Sequence, residues 1–260
     1  MANERLRDAL RQAGLTPTRC AELIGVDPKT VERWISLDRL PHRTHRAATA
    51  ELLRVDETDL WPAVALDPRT VSAGRAELAE FYPTRAAVPP DLWRSVIDEA
   101  QDGLDILVYA GLFLPEVHDV ARIGRRARAG CRVRILLGDP SGTAVRQRGE
   151  EEGFGIGLAH RVALSLRYFQ PIVETSNIEI RLHNTTLYAS IVRGDDTLLA
   201  NIHMYGYTAG QNPVLHLQRV PEGRVFDQYL GSFDKVWSVA PGPVSTADLD
   251  EAIAQVVKGG

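Results

Sequence analysis

A chain of 260 residues, 44% hydrophobic and 25% charged, has the composition of a globular protein and is long enough for one large or two ordinary domains. Its formal net charge of −4 argues against a general polyanion binder, and no stretch approaches the length of a membrane span. With no positive-then-apolar leader, and with Cys20 and Cys131 lacking metal-ligand spacing, the expectation is a cytoplasmic protein without disulfide, metal or other cofactor.

The first elements read as helical. Asn3 to Ala13 forms a helix with Leu6 and Leu10 inward and Gly14 ending it. Residues 18–34 carry the most specific pattern in the chain, two short helices joined by a tight turn at helix-turn-helix spacing. Ala21 is small where the helices approach, Gly25 accepts a positive φ, and Val26 drops into the corner. Asp27 caps the second helix and Pro28 fits its first position. Val31, Trp34 and Ile35 form the apolar stripe. Lys29, Thr30, Glu32 and Arg33 are left facing outward, where a recognition helix meets the major groove of double-stranded DNA. A loop at Asp38-Arg39-Leu40-Pro41 and a helix from His45 to Leu53 follow. From Asp27 to Arg46, five Arg/Lys stand against three Asp/Glu, a local basic face on a mildly acidic body.

Trp61-Pro62 closes this first unit. Residues 62–91 read as a junction holding one helix, Arg75 to Phe81, with the domain boundary near residue 70. Helix and strand patterns then alternate. Leu92 to Gln101 is an amphipathic helix, Leu104 to Phe113 a buried strand, and Val117 to Ala129 a helix with an arginine-rich face (Arg122, Arg125, Arg126, Arg128). Arg132 to Leu137 is a strand ending in Gly138-Asp139-Pro140-Ser141-Gly142, which is either an anion-binding loop or an ordinary turn. A long helical region runs to about Tyr168, with Arg148 to Gly153 as a solvated helix end. Ile178 to His183, Leu187 to Arg193, Thr197 to Met204 and Val214 to Arg219 are strands, and Gly194-Asp195-Asp196 is a hairpin turn. Val225 to Val239 closes the domain with Phe226, Tyr229, Phe233 and Trp237 inward, and 241–260 is a tail with a short helix. The fold class is therefore multidomain: an all-α helix-turn-helix domain (1–61), then an α/β domain on a mixed sheet (92–240).

The first pattern resembles the bacterial XRE family, the lambda-repressor and Cro type of helix-turn-helix, over about residues 3–61. The resemblance implies that Lys29, Thr30 and Arg33 face base edges or phosphates, and that Arg39, Arg43 and Arg46 touch the DNA backbone. A single such unit reads few base pairs, so a homodimer on paired half-sites is expected.

In the second half, Arg181-Leu182-His183-Asn184-Thr185, followed by Ser190, resembles an altered phospholipase D motif. That superfamily carries His-x-Lys-x-x-x-x-Asp at a strand end. Aligned on His183, Thr185 replaces the lysine and Ser190 the aspartate, while Ala200-Asn201-Ile202-His203 occupies the Gly-Ser-x-Asn position. Only one such motif is visible, whereas active members combine two. Losing the preorganised cation costs a few kcal/mol of transition-state stabilisation, so no catalytic residue is expected.

Nearly the whole chain is similar to actinobacterial XRE-type regulators with a phospholipase D-like domain. Arginine outnumbering lysine 27 to 3 suggests a GC-rich genome. The implied function is a transcriptional regulator at the nucleoid, its second domain serving effector sensing or dimerisation. The alternative is a phosphodiesterase or nuclease targeted to DNA, with His183 and His203 sharing the chemistry.

Polar residues expected near one sheet edge are His183, Thr185, Tyr188, Ser190, Asn201, His203 and Tyr205, with Asp139 and Ser141 on the glycine-flanked loop. They are candidates for a small-molecule effector, phosphate compounds included. Read without the resemblance, His183 merely ends a strand, and the same polar face is equally an internal hydrogen-bond network.

Overall fold

Each of the first three helices begins on a side-chain cap. α1 (Glu4–Gln12) starts at Asn3, whose Oδ1 accepts the Leu6 N–H at 2.9 Å while its Nδ2 donates to the Leu60 carbonyl at 2.9 Å. α2 (Pro17–Ile24) is capped by Thr16, and α3 (Pro28–Ser36) by Asp27, whose Oδ1 accepts the Lys29 N–H at 2.9 Å. Both carry proline at the first turn, where its missing N–H costs nothing. Gly25 ends α2 at φ 75°, a left-handed conformation that only glycine adopts without strain.

The computed structural model describes residues 2–65, 68–114 and 120–259 and divides into the units Met1–Ser72 and Ala73–Gly260. In the first unit α4 (Arg43–Leu53) and α5 (Glu57–Leu60) complete a helical core around Leu6, Leu10, Ala21, Val31, Trp34, Leu53 and Leu60. Trp34 meets Trp61 edge-on, with ring centroids 6.3 Å apart. Burial of each large apolar side chain contributes ~1.5–3 kcal/mol.

α6 (Pro68–Glu77) is followed directly by β1 (Leu78–Tyr82). The helix expected over Arg75 to Phe81 is thus half helix and half strand. Local helix preference in Ala-Glu-Leu-Ala-Glu yields to antiparallel pairing with β7 (Val214–Gln218), in which Phe81 lies opposite Leu215. As an edge strand β1 leaves Leu78 and Phe81 exposed, so it shows none of the alternation that marks a strand in sequence.

The second unit is a seven-stranded mixed sheet in the order β1-β7-β6-β5-β2-β3-β4. Its other strands are β2 (Gly103–Val108), β3 (Arg132–Gly138), β4 (Ile178–His183), β5 (Ala189–Gly194) and β6 (Thr197–Ile202). β2, β3 and β4 run parallel, and every other pairing is antiparallel. α7 (Pro90–Asp98) lies on one face, where a Cβ on Gly194 would come within 2.1 Å of the Val96 carbonyl. α8 (Val120–Arg128) links β2 to β3, and the expected positions 117–119 lie outside the described residues. Two of its arginines have partners: Arg122 forms a partly exposed pair with Asp98, and Arg126 donates twice to the Ala100 carbonyl.

The long helical region is two helices, α9 (Thr143–Glu151) and α10 (Gly157–Phe169), broken where Gly153 and Gly155 take positive φ. α11 (Val225–Val239) covers the opposite sheet face, and α12 (Thr246–Gly259) adds Leu249, Ile253 and Val256 to the core.

Under α11 the fully buried Asp105 accepts from Arg134 at 2.7 Å and from Arg193 at 3.0 Å. Arg134 also reaches Asp234 at 2.8 Å and stacks over Phe233 and Trp237.

Candidate functional site

In the first unit, helical periodicity separates the two faces of α3. Val31, Trp34 and Ile35 are buried, whereas Lys29, Glu32 and Arg33 are exposed and Thr30 is half-buried. Arg39 and Arg43 are exposed beyond it. Arg46 departs from expectation. Its side chain is only 13% exposed, with Nε 3.1 Å from Glu57 and a guanidinium N–H donating to the Pro41 carbonyl at 3.2 Å. A buried carboxylate needs a cation, so Arg46 is committed inside the unit and is not presented to a DNA backbone.

In the second unit, the carboxyl ends of β2, β3 and β4 share one edge with the start of β5 and the end of β6. Sheet register brings His183, Ser190, Asn201 and His203 to this edge. His183 is fully buried. Its Nε2–H donates to the Val108 carbonyl at 3.1 Å, and its Nδ1 accepts the Thr185 N–H at 3.3 Å. Burial lowers its pKa from 6.5 to about 4, so the imidazole is neutral with both nitrogens occupied. Tyr109 stands between the two histidines, its ring centroid 5.8 Å from that of His183 and 5.7 Å from that of His203, on which it stacks. The tyrosine hydroxyl accepts the Leu187 N–H at 2.8 Å, which fixes the ring there.

His203 is the other histidine of the altered motif. Its Nδ1–H donates to the Leu187 carbonyl at 3.2 Å, and Nε2 accepts from the Ser190 hydroxyl at 3.0 Å. Burial, then the positive charge of Arg148, brings its pKa to about 4. The serine–histidine contact has the geometry of a nucleophile and its base. A base of that pKa takes a hydroxyl proton poorly at neutral pH, and a carbonyl replaces the carboxylate that would stabilise an imidazolium.

Ser190 and His203 open into a pocket of about 290 Å³, walled by Val108, Leu112, Phe113, Phe154 and Leu158 and carrying Arg85, Glu152 and Arg161. The Arg85 guanidinium lies 4.6 Å from the Phe113 ring centroid, and that of Arg161 lies 5.2 Å from that of Phe154. Glu152 is held by the buried Arg148 at 2.7 Å. Arg148 also reaches Glu151 and the Tyr207 carbonyl. Within the segment expected to be a solvated helix end, Glu150 and Gly153 are exposed, but Arg148 is buried, paired with Glu151 and Glu152 and hydrogen-bonded to backbone carbonyls of the 204–207 turn.

Other expected residues lie elsewhere. Tyr188 and Tyr205 are 82% and 81% exposed, outside the pocket. Asn201 is buried and donates to the Asn212 and Pro213 carbonyls. Asp139 accepts from the backbone and hydroxyl of Ser141, closing a local turn. The amino end of α9, which the glycine-flanked loop could have offered to an anion, is occupied by Asn184, whose Oδ1 accepts the Ala144 N–H at 2.8 Å. Arg85, Tyr109, Phe113, Glu152 and Arg161 join the site without a motif around any of them, so nothing in their local sequence marks them. Among the described residues no group of three His, Cys, Asp or Glu is placed to hold a metal ion, and no helix is long and apolar enough to cross a membrane.

Residues 76–241 match the family model described as Domain of unknown function (DUF5919). No curated protein matches the chain. Among solved structures it is similar to a phospholipase D family member, Nuc from Salmonella typhimurium, at 15% identity over 64% of this chain and 97% of that one, with a TM-score of 0.39. It is similar to TrmBL2, an archaeal chromatin protein with a novel mode of DNA binding, at 13% identity over 84% of this chain and 72% of that one, with a TM-score of 0.40. Phosphatidylserine synthase of Haemophilus influenzae Rd KW20 is similar at 12% identity over 86% of this chain and 54% of that one, with a TM-score of 0.44. Likenesses this distant assign no activity.

Proposed function

Since the chain belongs to the family described as a domain of unknown function (DUF5919), its activity has to be read from its own residues, and we propose that it is a sequence-specific DNA-binding transcriptional regulator. The observation that carries this reading is α3. The helix follows a turn with Gly25 at φ 75°, is capped by Asp27, buries Val31, Trp34 and Ile35, and leaves Lys29, Glu32 and Arg33 exposed. A recognition helix of the XRE type needs this division between a packed stripe and a polar face rich in cationic donors. Binding as a homodimer to paired half-sites supplies the specificity that one such helix lacks.

The second unit serves as an effector-sensing or dimerisation domain descended from a phospholipase D-like fold and catalytically silent. Thr185 and Ser190 stand in place of the motif's lysine and aspartate. The sealed environment of His183, with Tyr109 between it and His203, supports this reading. An effector regulates only insofar as it prefers one dimer geometry to another.

Genome-wide DNA capture with the full chain tests the proposal. Discrete sites with paired half-sites, lost in Arg33→Ala, support it, and diffuse or absent binding overturns it. Phosphodiester turnover that disappears in His183→Ala would overturn the silent-domain reading alone.

A further inference from the structure

We propose that the cleft between α11 and the start of β5 binds an uncharged, largely apolar small molecule that presents a hydrogen-bond acceptor to the Tyr229 hydroxyl. The cleft is separate from the pocket of Ser190 and His203. Alternate residues of a strand face opposite sides of a sheet, so Ala189 and Ile191, which line the cleft, face away from Ser190. The proposal goes beyond the regulator reading and does not rest on it.

The walls set the polarity of the ligand. Leu107, Leu187 and Ile191 form the sheet side and Val225 and Val236 the helix side of a volume of about 370 Å³, within the range for small-molecule sites. No described residue that lines the cleft is charged. An ion entering it would lose hydration without gaining a partner, so a neutral molecule fits and a charged one does not.

The polar groups set where the ligand is held. Tyr229 is half-buried, and among the described residues its hydroxyl has no hydrogen-bond partner. Burial raises its pKa and no charged group contributes to the shift, so at neutral pH the O–H stays intact as a donor. A part-buried donor left unpaired costs free energy, which an acceptor on the ligand recovers. Gln228 and Ser232, one turn of α11 apart and both exposed, stand at the rim. The opposite wall is tied down from the far face of the sheet. The Leu187 N–H donates to the Tyr109 hydroxyl at 2.8 Å, and its carbonyl accepts from His203 at 3.2 Å. A wall fixed in advance lowers the ordering cost of binding.

Fluorescence titration of the full chain with the neutral dye N-phenyl-1-naphthylamine tests the assignment. The dye is expected to bind saturably, one per chain. Displacement by benzophenone is expected at a concentration ~3- to 10-fold lower than by diphenylmethane, which lacks the carbonyl. The anion 4-benzoylbenzoate should displace at least tenfold more weakly than benzophenone. Tyr229→Phe should keep the dye and erase the advantage of the ketone. Ser232→Trp, at an exposed rim position, should abolish dye binding with an unchanged thermal transition. If that variant unfolds, Thr186→Trp, exposed on the opposite rim, takes its place.

No saturable binding, equal displacement by ketone and anion, or a ketone advantage that survives in Tyr229→Phe would each overturn the proposal. So would dye binding that persists in the folded tryptophan variant. Dye binding lost in Phe154→Ala would place the dye in the pocket of Ser190 and His203 and overturn it too. A chain that sediments as a dimer and is split by Ser232→Trp would put a second copy in the cleft, with the same consequence. Dye and ketone binding as expected, by a chain that captures no DNA, would support this assignment and overturn the regulator reading alone.

Discussion

The Nε2 of His183 lies 3.1 Å from the Val108 carbonyl, joining the ends of two strands whose residues are 75 positions apart in the chain. With Nδ1 accepting from Thr185, a proton on this ring would break one hydrogen bond and place a charge among apolar neighbours. The folded pKa is about 4 against 6.5 in the open chain, so between those values the unfolded state binds more protons. Stability from His183 is therefore fully present above about pH 6.5 and is lost as pH falls toward 4, by up to ~3 kcal/mol. His203 shifts in the same direction. Urea unfolding followed from pH 7 to pH 4 should show this loss, and a shallower slope is expected in His183→Gln. A pH-independent stability across that window would refute the assignment.

Asp105 presents a different kind of burial. Its carboxylate has no exposure and bridges Arg134 and Arg193, so Asp105→Ala leaves two guanidiniums facing each other without their anion. Arg134 keeps Asp234, which moderates the effect on that side. Removing one partner of a buried ion pair costs ~3–5 kcal/mol. Denaturant unfolding should register a loss of this size, with the Asp105→Asn variant intermediate. A change below ~1 kcal/mol, the ordinary range for an exposed pair, would mean that the sheet relaxes enough to hydrate both arginines.

The start of α11 is capped from far along the chain. The buried Glu77 carboxylate accepts the N–H groups of Arg224, Val225 and Phe226 at 2.9, 2.9 and 3.0 Å, and a Cβ on Gly223 would come within 2.4 Å of it. A negative charge on three terminal N–H groups combines hydrogen bonding with the helix dipole. Glu77→Ala should cost ~1.5–3 kcal/mol, and Gly223→Ala a comparable amount by displacing the carboxylate. Thermal unfolding of both variants and of the double mutant checks the shared cause, since their effects should then fall short of additive.

Short-range signals are the ones a sequence displays openly. Thr16, Asp27, Pro28 and Gly25 act within a turn of their own helix, and the stripe of α11 repeats at helical spacing, so both are visible in a short window. β1 is hidden because an edge strand with exposed Leu78 and Phe81 needs no alternating pattern; β7 supplies the partner, over 130 residues later. The pocket is hidden for the same reason. Ser190 and His203 belong to a motif, but Arg85 lies in a stretch that reads as a junction and Arg161 on a helix that reads as ordinary cover. Only the sheet order carries them to one cavity. His183 and Arg148 show the converse, residues whose type suggests an open site or a solvated end and whose burial reverses that reading.

Two arginines in the first unit should separate DNA contact from stability. Arg33 is exposed on α3, and its loss removes nothing from the core. Arg46 is 13% exposed and holds Glu57, itself 12% exposed, along with the Pro41 carbonyl. Arg33→Ala is expected to leave the thermal transition unchanged while weakening capture of specific sites. A base contact would cost ~1–3 kcal/mol and relax one position of the site, whereas a phosphate contact would lower the salt slope of binding by about 0.9. Arg46→Ala should do the reverse and lower stability by removing the part-buried contact to Glu57 and the hydrogen bond to the Pro41 carbonyl, with no change in which sites are captured by the fraction that remains folded. Capture at two salt concentrations, beside thermal unfolding of each variant, reads both effects. If Arg46→Ala altered site choice while Arg33→Ala did not, α3 would not be the reading helix, and the DNA surface would have to be sought on the side of the unit that carries Arg43 and Arg46.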